Sequence, residues 1–94
     1  MMHQVTFDQA QQEFRVLLEQ DLHAVVKYQQ YEEDIFTITS TKVPDSLQGK
    51  GYGKVMMEAV LPEIERLGGK VVPECSFVVR YFEKNPHWQH LLAS

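Results

Sequence analysis

Around Pro44 the spacing of apolar residues changes, and that change sets what the chain can fold into. Before it, side chains alternate with a period of two. Gln12–Glu19 carries a Phe14/Val16/Leu18 face, and His23–Tyr31 sets Ala24/Val26/Tyr28 against Val25/Lys27/Gln29. Ile35–Lys42 follows the polar turn Glu32–Asp34 and is rich in Ile, Phe and Thr, residues that suit a pleated, half-buried surface. Gln20–Asp21 is short and polar, so an antiparallel hairpin is the simplest connection between the first two segments. Together the three segments predict a meander.

From Gly51 onward the period lengthens. Met56, Val60, Ile64 and Leu67 recur with Met57 and Leu61 beside them, while Lys54, Glu58, Glu65 and Arg66 take the other side. This predicts an amphipathic helix of about four turns, stopped by Gly68–Gly69. Pro62 lies inside it and removes the bond to the Glu58 carbonyl, at a cost of roughly 3 kcal/mol. Because Pro62 falls on the polar side, where a bend convex to solvent is best tolerated, the expectation is one helix kinked around Glu58–Pro62. Lys70–Glu74 then reads as a buried strand, with Pro73 marking an edge, bulge or strand end. Ser76 is the expected N-cap of a helix over Phe77–Lys84, stopped at Asn85–Pro86. The tail His87–Leu92 should pack Trp88 and Leu91 back on the domain. The order βββ-α-β-α is mixed α/β, with helices packed on a mostly antiparallel sheet.

At 94 residues the chain allows a single domain over 1–94, large enough to bury about 65% of its unfolded surface. No apolar run exceeds three residues, which excludes a membrane-spanning helix, and Met1–Asp8 lacks signal-peptide anatomy. A net charge of −4 with a pI near 5.5 argues against a nucleic-acid binder, which needs a broad basic face. The single cysteine, Cys75, can form neither an intrachain disulfide nor a multi-cysteine zinc site, so a reducing cytoplasm is the expected compartment.

The most informative segment is Gln48–Gly49–Lys50–Gly51–Tyr52–Gly53, between a strand and the N-terminus of the long helix. Successive glycines let backbone amides approach a ligand without Cβ obstruction, and the helix end adds partial positive charge. Phosphate oxygens are the natural guest. Between Lys42 and Lys54 there are three lysines and one acid, Asp45, so an acidic chain carries one basic loop. A plain glycine-rich connection with solvated lysines is the alternative. A Walker A loop fits poorly because Lys54 is followed by Val55, and so does a dinucleotide fingerprint, given the spacing Gly49-x-Gly51-x-Gly53 after an antiparallel strand.

Gln48-x-x-Gly51-x-Gly53 resembles the pyrophosphate loop of GNAT-type N-acetyltransferases. Val43–Pro44, this loop, Pro73–Glu74–Cys75–Ser76–Phe77 and Tyr81–Pro86, in that order, resemble the very short branch of that superfamily, of about a hundred residues. The likeness runs from about Phe14 to Leu92. It implies a minimal GNAT-like fold that uses acetyl-coenzyme A as cosubstrate, without a metal, and transfers acetyl to an amine. By the resemblance, amides of Gln48, Gly49, Lys50, Gly51, Tyr52, Gly53 and Lys54 hold the pyrophosphate, and the extended backbone from Thr41 to Val43 pairs with the pantetheine amides. That pairing needs a splayed gap beside the strand, which Pro44 helps to end.

The same resemblance puts a cysteine where the last strand meets the last helix. Cys75 then has three open roles: acetyl acceptor activated by the helix N-terminus, lining of the thioester pocket, or a small buried hydrophobe. Tyr81 is either a proton donor to the leaving thiolate or an aromatic packing residue. The longer enzymes carry a tyrosine as the second member of an aromatic pair, and here that member is Phe82. Close relatives read His-Thr-Glu-Val-Pro entering the loop, whereas this chain reads Ser40–Thr41–Lys42–Val43–Pro44. A serine hydroxyl cannot take up a proton at neutral pH, so any base lies elsewhere or is a water relay; His23, Glu74 and the Glu32–Asp34 turn are candidates only because they titrate.

Only Gln20–Asp21 separates the two strands between which longer GNAT enzymes place helices. An open acceptor face suits an exposed amine, on a small molecule or on a protein or peptide, and the negative balance favours a cationic acceptor. The expected assembly is a monomer or weak homodimer, with no nucleic-acid or membrane partner. The rival reading is a non-catalytic coenzyme A-binding or protein-interaction module, supported by Ser40. A structural partner protein without a cofactor is a third.

Overall fold

Four strands, one more than the pattern predicts, precede the long helix: β1 (Val5–Asp8), β2 (Glu13–Glu19), β3 (Leu22–Gln29) and β4 (Ile35–Lys42). They belong to a computed structural model that describes residues 4–19 and 22–93. The expected hairpin connection at Gln20–Asp21 lies outside the described residues. The remaining elements are α1 (Tyr52–Arg66), β5 (Lys70–Pro73), α2 (Ser76–Lys84) and a 3-10 helix over Pro86–Leu91. The five strands form one sheet in the order β1-β2-β3-β4-β5. Neighbours through β4 are antiparallel, and β5 returns parallel to β4 after α1.

β1 exists because of what it packs on. Val5 and Phe7 pair with Val16 and Phe14, and the Phe7 ring stacks on Phe14 at a centroid distance of 4.9 Å. Tyr28 and Phe36 complete this aromatic group at 4.9 Å from each other. Directly opposed residues of paired strands share a face. Phe14, Val16, Ala24, Val26, Tyr28 and Ile38 therefore line one buried side, which meets Met56, Met57, Val60, Leu61 and Ile64 of α1 and Val78, Tyr81 and Phe82 of α2. On the other side Arg15 bridges Asp8 at 2.9 Å and Glu13 at 2.6 Å, with Lys27 3.3 Å from Glu13.

The long helix runs unbroken through Pro62, which is exposed as its polar-side position requires. It closes where expected: Gly68 takes a left-handed φ of 76°, and Gly69 donates to the Ile64 carbonyl at 2.9 Å. The last helix begins one residue earlier than the sequence indicates, with Cys75 rather than Ser76 as its N-cap. Leu91 is buried and Trp88 half-buried against the core.

Two irregularities position the site. Lys27 pairs with Ser40 but Tyr28 pairs with Ile38, so Thr39 is an extra residue in β4. This bulge reverses the alternation of the strand's outer half and sets Thr41 opposite Val26, on the buried face. The second irregularity is an early end to β4–β5 pairing, at Ile38 and Pro73. The amides of Glu74 and Cys75 both donate to the Ile38 carbonyl, at 3.0 and 3.1 Å, and the chain then turns into α2. Ser40–Lys42 are left paired with β3 alone, and the bulged Thr39 has no register partner on either side.

Candidate functional site

Leu47 anchors the loop between β4 and α1. It is buried in a single 3-10 turn, Asp45–Leu47, whose amide donates to the Pro44 carbonyl at 2.8 Å. Gln48 is engaged with its own loop: Nε2 donates to the Val43 carbonyl at 3.0 Å and to Asp45 Oδ1 at 3.3 Å. Its own amide donates to the Asp45 carbonyl at 3.3 Å, closing the 3-10 turn, so of the expected pyrophosphate donors Gln48 is already engaged and the free amides begin at Gly49. Gly49 and Gly51 take φ near +80°, and a Cβ on either would meet nothing within 4 Å, so both face open space. Left-handed backbone of this kind is what glycine supplies without strain.

The amides of Gly49, Lys50 and Gly51 donate to no carbonyl among the described residues. Those of Tyr52, Gly53 and Lys54 open α1, where first-turn amides have no intrahelical acceptor. Gly51 provides no side-chain cap, and the first turn of α1 holds no acid. A row of free donors therefore points off a helix tip with its positive dipole end, a geometry suited to an anion. The Tyr52 hydroxyl is tied to Glu19, whose hydrogen bond holds the phenol above its usual value, with burial adding to the effect.

Cys75 closes the opposite side. It is half-buried at the N-cap of α2, and its Sγ lies 3.6 Å from Thr41 Oγ1. Burial pushes the thiol up, but the Thr41 hydroxyl and the backbone amides of Val78, Phe77 and Thr41 outweigh it and hold the thiol below its ordinary value. A helix N-terminus favours the thiolate by the same dipole that favours phosphate. Val43 is half-buried against the core just past β4. The structure thus brings Thr41, Val43, Cys75 and the glycine loop to one end of the sheet.

Tyr81 is placed differently. It is 6% exposed, and its Oη is buried with no hydrogen-bond partner among the described residues. Burial, then the charge of Glu58, raise the phenol; the Trp88 indole is near enough to oppose them but not placed to complete a hydrogen bond. Its ring lines a pocket of about 280 Å³ with Lys54, Phe77, Arg80, Lys84 and Asn85. The sequence reading missed this pocket, although Phe77, Arg80, Tyr81 and Lys84 follow the three- and four-residue spacing that shares one helical face. Asn85 Nδ2 donates to the Tyr81 carbonyl at 2.8 Å and so caps α2, which gives the Tyr-x-x-x-Asn-Pro ending a local physical reason.

Of the titratable candidates for a base, Glu74 adjoins the assembly as the chain neighbour of Cys75, and the others lie away from it. His23 is exposed on β3 opposite Leu17, Glu74 is exposed, and Glu32–Asp34 forms an exposed turn at the far end of β3. Ser40 is exposed and pairs with Lys27. Among the described residues, no group of three His, Cys, Asp or Glu side chains is arranged to hold a metal, and no helix is long and apolar enough to cross a membrane.

A family model described as GCN5-related N-acetyl-transferase matches residues 13–91. The chain belongs to that family. It is also similar to a GCN5-like N-acetyltransferase candidate from Staphylococcus aureus, solved by solution NMR, at 25% identity and a TM-score of 0.69. The likeness covers 97% of this chain and 88% of the other. No curated protein matches this chain. The mixed α/β sheet with packed helices is therefore a GNAT-like fold, and the free loop amides and parted strands lie at the end where the resemblance places the cosubstrate.

Proposed function

We propose that this chain is an acetyl-coenzyme A-dependent N-acetyltransferase acting on an amine. One observation carries the reading: unengaged amides from Gly49 to Lys54 stand beside a strand edge, Thr39–Lys42, that β5 leaves unpaired. The first feature suits a pyrophosphate and the second an extended amide chain. Both are needed to hold coenzyme A, and here they are neighbours in sequence and in space.

In this reading the loop amides fix the pyrophosphate, and the edge from Thr41 to Val43 aligns the pantetheine arm. Cys75, held toward the thiolate, accepts the acetyl group through its sulfur while the coenzyme leaves as its thiol. The departing sulfur takes its proton from water, because the buried Tyr81 belongs to the pocket on the face of α2. The amine then takes the acetyl group from Cys75, which leaves again as its thiolate, and the proton the amine loses passes to water, replacing the one given to the coenzyme. A non-catalytic coenzyme-binding module is the second reading, and it draws on the exposed Ser40.

Calorimetry with coenzyme A, followed by acetyl-coenzyme A consumption with amine acceptors, tests the proposal. Binding with turnover that Cys75→Ala abolishes is the expected result. Binding with no turnover, unaffected by that substitution, selects the module. No binding at millimolar coenzyme A removes both.

A further inference from the structure

The pocket between the first turn of α1 and the face of α2 presents three cations, Lys54, Arg80 and Lys84, and no acid lines it. None of the three makes an ion pair among the described residues. In a chain of net charge −4, three cations without an ion pair stand on one concave surface, the nearby Glu58 charge reaching Tyr81 but pairing with none of them, and an anionic ligand relieves their mutual repulsion. All three lie on the exposed rim, whereas Tyr81 forms the buried floor and the ring of Phe77 the wall. Its volume of about 280 Å³ lies just under the range of small-molecule pockets, enough for part of such a ligand with the remainder in solvent.

Lys54 belongs both to this pocket and to the amide row at the tip of α1. A ligand whose diphosphate sits on the tip therefore has its next group directed at the pocket. We infer that Lys54, Arg80 and Lys84 read the 3′-phosphate of the coenzyme's adenosine, with the base against Phe77, so that this chain discriminates coenzyme A from its 3′-dephospho form. Arginine and lysine in convergent positions bind a phosphate dianion through charge-assisted hydrogen bonds. A site built around such a group is weakened when the ligand lacks it, because its cations are then left unpaired. This inference rests on the proposed coenzyme binding and adds which part of the molecule is selected.

Calorimetry of the whole chain with coenzyme A and with 3′-dephospho-coenzyme A tests it, in the wild type, Arg80→Gln and Lys84→Gln. The expected wild-type preference for coenzyme A is about tenfold, shrinking in each variant and with added salt, while affinity for the dephospho form stays level. Thermal melts confirm that these exposed substitutions leave the fold intact. Equal wild-type affinity for both ligands, or a preference that survives both substitutions, overturns the inference and leaves coenzyme binding standing. Failure of both ligands to bind at millimolar concentration overturns the two together.

Discussion

Phe77 fills the space that a side chain on Gly53 would need: a Cβ there would stand 2.7 Å from the ring's Cζ. The tips of the two helices are thus locked by an aromatic ring over a bare backbone. The contact sets the distance between the free amides of α1 and the cationic face of α2.

Gly53→Ala separates fold from binding at this contact. The new methyl must displace the ring, and Phe77 is 39% exposed, so the ring has solvent to swing into. Alanine regains about 0.5–1 kcal/mol of helix propensity, which roughly offsets the disturbance, and the melting temperature should hardly move. Coenzyme affinity should fall, because the ring leaves its place in the pocket wall. Unchanged affinity by calorimetry would separate Phe77 from the ligand.

The Thr41–Cys75 contact makes a prediction about pH. Alkylation of Cys75 by iodoacetamide requires the thiolate, so its rate rises with pH through the thiol's titration. The folded midpoint should lie below that of the same chain in denaturant, because the Thr41 hydroxyl and the α2 amides outweigh burial. Thr41→Val removes one donor and should move the curve to higher pH. A Thr41→Val profile that overlays the wild type would show that the hydroxyl does not favour the charged sulfur.

Much of this arrangement was legible in local pattern, and the rest was not for identifiable reasons. Ile35–Lys42 was read with its true bounds, and the second period gave α1 through Pro62, because apolar spacing reports a face directly. β1 was missed because Val5 and Phe7 alone are too short a pattern, and their value comes from Phe14 across the sheet. Plain alternation along β4 would group Ile38 with Ser40 and Lys42. The bulge at Thr39 instead turns Thr41 inward, and no residue near it announces that slip. Cys75 was singled out from resemblance, but its meeting with Thr41, 34 residues away, is a product of topology. Arg80 and Lys84 form a site only with Lys54 of α1, a meeting that the sequence of α2 does not signal.

Acid stability should depend on Arg15. Its hydrogen bond leads the causes that hold Glu13 below the usual carboxylate range; at Asp8 the Gln11 amide leads and Arg15 follows. For a carboxyl depressed in the folded state, the stabilisation is present above its unfolded pKa and lost as pH falls through the folded one. Arg15→Gln should therefore bring acid unfolding to a higher pH, with a smaller effect at neutral pH and high salt, where exposed pairs are screened. Circular dichroism during acid titration reads this shift, and identical acid midpoints would remove the pairing from any account of stability.

Tyr81→Phe distinguishes a proton donor from a packing aromatic. The ring is buried, but its Oη finds no partner among the described residues, and an unsatisfied buried hydroxyl is a cost of about 1–3 kcal/mol in the folded state. Removing it should leave stability equal or higher, which makes the activity interpretable. Turnover should stay near the wild-type rate, because the ring floors the pocket on α2, whereas a phenol that protonated the leaving sulfur would cost about 10²-fold when removed. The raised phenol pKa keeps the hydroxyl protonated through neutral pH, and activity that depended on it would be lost as pH rises through that value. A phenylalanine variant that loses turnover on that scale would return the proton to Tyr81 and overturn its assignment to packing.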